Sequence, residues 1–217
     1  MKGLLIKDLR LLKGQRILFA IILIIAMIMA FAFENPSFIV SYMTIIGVTF
    51  MVSTISYDEL DHGFTFLFTM PISKKEYVLE KYVFALILGS VFWILATAFS
   101  VLSGKISGSV SIEEVLKTAI GIFPIMVIML SVMIPFRLKF GGDKGRIAIM
   151  GALGVIVLLV LGAIKIIELL DIDLNRQLNY LLTMESIGII AIVAGITLAV
   201  LLISIKTSIA IMRKKEF

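Results

Sequence analysis

The chain has 217 residues, 60% of them hydrophobic and 16% charged, with a formal net charge of +5. A soluble domain carries roughly 45–50% apolar and about 25% charged residues, so a water-soluble fold is excluded and lipid becomes the second solvent. No cysteine is present and His62 is the single histidine, which excludes disulfides, thiolate chemistry and a multi-histidine zinc site.

The chain opens with MKGLLIKDLRLLKGQR. Leu4, Leu5, Leu9, Leu11 and Leu12 fall on one face of a helix and the charges on the other, the pattern of a basic amphipathic helix on a membrane surface; the plainer alternative is a polar lead-in to a span. Six apolar stretches follow, each near the roughly 20 residues that cross a bilayer. They run from Ile17 to Phe33, Phe38 to Ile55, about Val78 to Leu102, about Thr118 to Ile134, Ile147 to Ile167 and about Ile187 to Ile205. The first is not read as a cleaved leader, because no small-residue cleavage site follows Phe33.

The basic residues predict orientation. With the N-terminus inside, sixteen of the twenty Lys and Arg fall in inner segments, and only Lys105, Lys117, Lys165 and Arg176 fall outside. Both termini are then cytoplasmic, and the charge is a membrane signal; it is spread over short loops, which speaks against nucleic acid as a partner. The outer connections are a tight turn at Glu34 to Ser37, a loop from Ser103 to Lys117 with an N-cap pattern at Ser111-Ile-Glu-Glu, and a longer one from Glu168 to Glu185. The predicted architecture is all-α: one transmembrane domain over 1–217, with an interfacial helix over 1–16 and cytoplasmic loops over 57–77 and 136–146.

The first inner loop reads SYDELDHGFTFLFTMPISKKEYVLEKY. Acids Asp58, Glu59 and Asp61 come first, Leu60, Phe64, Leu67 and Phe68 follow at helical spacing, and Met70-Pro71 ends the element. Ser73 with Glu76 three residues on predicts a capping box that starts the next helix. Two readings stand: a buried elbow whose phenylalanines pack under the spans, or a docking knob that puts an aromatic anchor into a partner's pocket. The second inner loop, PFRLKFGGDKGR, ends the fourth span at Pro135 and carries Arg137, Lys139, Lys144 and Arg146; its glycines lack the spacing of a phosphate-binding loop.

In the order of these parts the chain resembles the type-2 ABC transporter permeases. MPISKKEYVLEKY and PFRLKFGGDKGRI carry the likeness, which extends over essentially the whole chain and is nearest to small bacterial permeases such as the exporters of phenol-soluble modulins. The resemblance implies a bacterial plasma-membrane protein that pairs with a second permease copy and with two copies of a separate ABC ATPase subunit, where ATP and Mg bind. It also implies a coupling segment that docks on that ATPase, placed by position on Tyr57, Asp58, Glu59, Leu60, Asp61, His62, Phe64, Leu67 and Phe68.

Independently of the likeness, the spans hold almost no ionisable residue at mid-depth, and Lys165 and Glu168 lie near an outer end. Ion-coupled carriers place acids or histidines inside the bilayer, so the driving energy is expected from a partner. With 15 Phe and 12 Met, an apolar path favours hydrophobic or amphipathic cargo: peptides, toxins or drugs. Ala191, Gly195 and Ala199 put small residues on one face of the sixth span, which permits close helix packing within or between subunits. The alternatives are an intramembrane protease, for which Glu113-Glu114 and His62 would lie on opposite sides of the membrane, and a non-transporting anchor or sensor. No catalytic residue, metal site or cofactor site is predicted in the chain itself.

Overall fold

The computed structural model describes residues 2–32, 36–59, 63–107, 111–141 and 186–215. All regular structure among them is helical: α1 (Lys2–Gly14), α2 (Arg16–Ala32), α3 (Pro36–Glu59), α4 (Gly63–Thr69), α5 (Lys74–Ser107), α6 (Ile112–Phe140) and α7 (Ser186–Lys214). By length and composition, Phe38–Glu59, Lys74–Ile106, Ile112–Phe140 and Ile190–Lys214 can each cross a membrane. The pair Gly3–Gly14 and Phe19–Met29, bent by 68°, supplies a fifth candidate if counted as one span. The predicted span from Ile147 to Ile167, the loop from Glu168 to Glu185, and Lys144 and Arg146 lie outside the described residues.

α3 packs against both α5 and α6, α7 lies on α6 and α5, α2 on α5 and α3, and α1 on the start of α5. Two apolar clusters result. One contains Phe50, Phe92, Met43 and Ala96 with Phe19 stacked on Phe50 at 4.4 Å. The other gathers Leu4, Leu12, Ile55, Phe64, Leu67, Tyr77, Tyr82, Leu138 and Met212 from six helices. This second cluster lies among Lys74, Arg137 and Lys215, and this region is termed the basic end.

The start signals read from sequence are present. Ser73 and Glu76 form a reciprocal capping box at the start of α5, with Ser73 N donating to Glu76 Oε2 at 3.0 Å and Glu76 N to Ser73 Oγ at 3.1 Å. Ser111 and Glu114 do the same for α6. Both satisfy amide donors that the first helical turn leaves open.

The stop signals are a correction. α3 runs on through Tyr57, Asp58 and Glu59, and α6 passes straight through Pro124 and Pro135 to Phe140, where Gly141 at φ 75° caps it with an N–H bond to the Arg137 carbonyl. Arg137 and Lys139 are therefore helical, not part of a loop. Pro135 has no N–H to offer the carbonyl four residues back, which is that of Ser131. Ser204 of α7 donates its hydroxyl to that carbonyl, and the Tyr82 hydroxyl of α5 lies 2.5 Å from Ser204 Oγ and 2.8 Å from Ser208 Oγ. A backbone group freed in a low-dielectric setting is thus satisfied from a neighbouring helix. Ser204→Ala is expected to cost about 1–2 kcal/mol by orphaning this carbonyl, read as a lower unfolding midpoint in mixed micelles, whereas Thr207→Ala, at an exposed hydroxyl that bonds the Ile203 carbonyl of its own helix, changes little.

A candidate docking segment rooted in a buried ion network

At the basic end, α1 is held by charge as well as by leucines. Asp8 shares its helix face with Leu4 and Leu12, and all three are buried, Asp8 completely. The division of α1 into a leucine face and a charged face therefore needs correcting at this position. The acid is tolerated because Lys81 of α5, also fully buried, ion-pairs with Asp8. Lys81 Nζ lies 2.7 Å from Asp58 Oδ2 at the end of α3 and 3.4 Å from Thr54 Oγ1. Lys7 closes the ring: it bonds Asp58 and lies 2.9 Å from Asp8 Oδ1. Burial alone would lower the affinity of Lys7 for its proton, but the Asp58 and Asp8 carboxylates outweigh it and hold the ammonium above its ordinary range. Tyr77 donates its hydroxyl to Asp58 Oδ2 at 3.0 Å. Two cations thus face two anions across α1, α3 and α5. Glu80 is buried nearby, with 3.9 Å to Lys81 Nζ and no hydrogen bond to either carboxylate oxygen among the described residues.

α4 hangs from this network. Phe64 and Leu67 are buried, and Phe64 and Phe68 meet the Tyr77 ring edge-on at 5.7 and 5.9 Å. Lys215 at the end of α7 lies 5.2 Å over the Phe64 ring and 3.6 Å from Glu59, and Lys74 donates to its carbonyl at 2.5 Å. Gly63 opens α4 against the end of α3, and a Cβ there would stand 2.6 Å from the Asp58 carbonyl oxygen. The outward residues are Phe66, 67% exposed, with Tyr57 and Met70. Gln15 donates to the Tyr57 hydroxyl at 2.8 Å.

The residues expected to form a docking segment are therefore divided. Asp58, Phe64 and Leu67 point into the fold and Phe68 is half-buried, Tyr57 is exposed, and Leu60, Asp61 and His62 lie outside the described residues. In the second segment, Arg137 is buried against α3, donating to the Ser56 hydroxyl, while Lys139 is exposed. Sequence reading missed Lys7, Asp8 and Lys81 as a unit and missed Phe66. The available signal was Asp8 itself, the one acid in α1, placed four residues from a leucine on either side.

Among the described residues no group of three His, Cys, Asp or Glu is placed to hold a metal ion. Glu113, half of the adjacent glutamate pair, is an exposed residue joined to Lys117 at 2.7 Å, an ordinary surface pair one helical turn apart.

The family model described as ABC-2 family transporter protein matches residues 3–213, nearly the whole chain. The chain belongs to this ABC-2 transporter family. It is accordingly a multi-pass membrane protein of the permease kind, from a family whose members are generally non-enzymatic and work with ATPase subunits. No curated protein and no solved structure matches it. The short helix α4 is thus braced through Tyr77 to the Asp58 network on its inner face and leaves Phe66 exposed on its outer one.

Proposed function

We propose that this protein is the membrane subunit of an ATP-driven bacterial exporter for hydrophobic or amphipathic peptides, toxins or drugs. It spans the plasma membrane six times as a single domain, keeps both termini in the cytoplasm, and lays α1 on the inner leaflet. Two copies, or this chain with a second permease, pair with two copies of a separate ABC ATPase, which binds ATP and Mg. The docking segment is the end of α3 with α4, covering Tyr57 to Phe68. Phe66 and Tyr57 make the contact while Asp58, Phe64, Leu67 and Phe68 hold the segment in place, and Arg137 with Lys139 of the second inner segment lies beside it.

The observation that carries this reading is the exposed Phe66 on a helix whose opposite face is anchored to three spans or their ends, in a chain matched by the ABC-2 family over residues 3–213. An aromatic ring exposed at 67% on a braced element has the character of an interface anchor. Phe66→Asp is expected to weaken co-purification with the ATPase subunit at least tenfold, about the effect of losing a hot-spot aromatic, with the unfolding midpoint unchanged. Phe64→Asp is a poorer probe, because it buries a carboxylate beside Tyr77 and damages the fold as well. Full ATPase capture and transport by the Phe66→Asp protein would refute the docking role.

A further inference from the structure

We propose that the outward face of α1 is a binding site for anionic phospholipid headgroups. Arg10, Lys13 and Arg16 are exposed and carry no ion pair among the described residues. They alternate with Ile6 and Leu9, both about half exposed, and with Ile17 at 73%. The single acid of α1, Asp8, is on the opposite, buried face with its charge matched by Lys81 and Lys7, so no anion on the helix competes for these cations. A face of free cations and large aliphatic side chains without acids is unfavourable in water and favourable at a charged lipid interface.

A shallow groove on this face is lined by Gly3, Ile6, Lys7, Arg10 and Leu11. Gly3 opens one end, since a Cβ placed there would meet nothing within 4 Å. The Lys7 ammonium is already committed to Asp58 and Asp8, which leaves the Arg10 guanidinium, a planar donor suited to bidentate contact with a phosphate, as the free cation over the groove. The occupant is a lipid and not a soluble phosphate for a geometric reason. After α1 the chain bends by 68° into α2, whose Ile21, Ile24 and Ile28 are exposed, so the cationic helix leads directly along the chain into apolar surface fit for acyl chains. This inference needs only that the chain is embedded in a membrane and stands apart from the ATPase-docking reading.

The test uses the full-length protein, delipidated in a nonionic detergent. Phosphatidylglycerol and phosphatidylcholine with identical acyl chains are titrated separately, with thermal unfolding followed by Trp93 fluorescence and retained lipids counted by native mass spectrometry. Wild-type protein is expected to be stabilised by, and to retain, phosphatidylglycerol in preference to phosphatidylcholine, and added salt weakens that preference. The double variant R10Q/K13Q, altered only at exposed unpaired side chains, unfolds at the same temperature without lipid. It binds phosphatidylglycerol roughly tenfold to thirtyfold more weakly, the effect of removing two cations near an anionic surface. K117Q, at an exposed lysine on α6, keeps the wild-type preference. Equal stabilisation by both lipids, an undiminished preference in R10Q/K13Q, or an equal shift from glycerol phosphate alone would each overturn the proposal. An undiminished lipid preference joined to loss of a protein partner would assign the face to that protein instead.

Discussion

Lys81→Met is expected to lower the stability of the protein by about 3–5 kcal/mol, the range for removing one member of a buried ion pair. The cost is not the attraction lost. Asp8 is fully buried and Asp58 nearly so, and both look to Lys81 for charge. Without it, Lys7 alone serves two carboxylates, and one anion is left uncompensated in a low-dielectric site. Reversible unfolding in mixed micelles measures the loss. A second variant separates charge from packing: adding Asp8→Asn to Lys81→Met removes the orphaned anion as well, so the double variant should be more stable than Lys81→Met alone, a strong positive coupling between residues 73 positions apart. A loss under about 1 kcal/mol for Lys81→Met, or simple additivity in the pair, would mean that water reaches these groups and that α1 is held by its leucines.

Gly63→Ala should damage coupling more than its single methyl group suggests. The added Cβ would stand 2.6 Å from the backbone oxygen of Asp58, and a backbone atom cannot swing aside as a flexible side chain does. Relief requires α4 to move as a body away from the end of α3, which pulls Phe64 and Phe68 from Tyr77. Overpacking of this kind costs about 1–3 kcal/mol. If the relaxed position of α4 no longer meets the partner, ATPase stimulation by the permease falls by about tenfold or more, each 1.4 kcal/mol being a factor of ten. Assays with the reconstituted ATPase subunit read this directly. Wild-type stimulation in a folded Gly63→Ala protein would show that the position of α4 does not govern coupling. Phe66→Asp complements this test, since it alters the contact surface and leaves the brace intact.

Much of the architecture was legible along the chain because its causes are local. Composition forced a membrane solution, and four of the apolar runs coincide with helices long and apolar enough to cross a bilayer. Ser73 with Glu76 and Ser111 with Glu114 marked helix starts, because a capping box is completed within four residues. The spacing of Phe64, Leu67 and Phe68 marked an amphipathic turn whose inner side the structure locates against Tyr77. Helix ends were less legible. Pro135 reads as a stop because its missing N–H leaves a carbonyl open, and only the approach of α7 reveals that Ser204 satisfies it. Asp58 and Glu59 read as the polar end of a span for the same kind of reason; α3 carries them because Lys7, Lys81 and Lys215 arrive from helices remote in sequence.

By itself, the sequence determined the solvent, the helical class, the family and the local helix starts, since hydropathy and backbone capping act over a few neighbouring residues. Tertiary structure alone decided which charges became partners, which aromatic ring stayed exposed, and whether a proline ended its helix. A buried ion or an open carbonyl has no fixed energy along the chain, and its cost is set by whatever the fold brings within hydrogen-bonding distance.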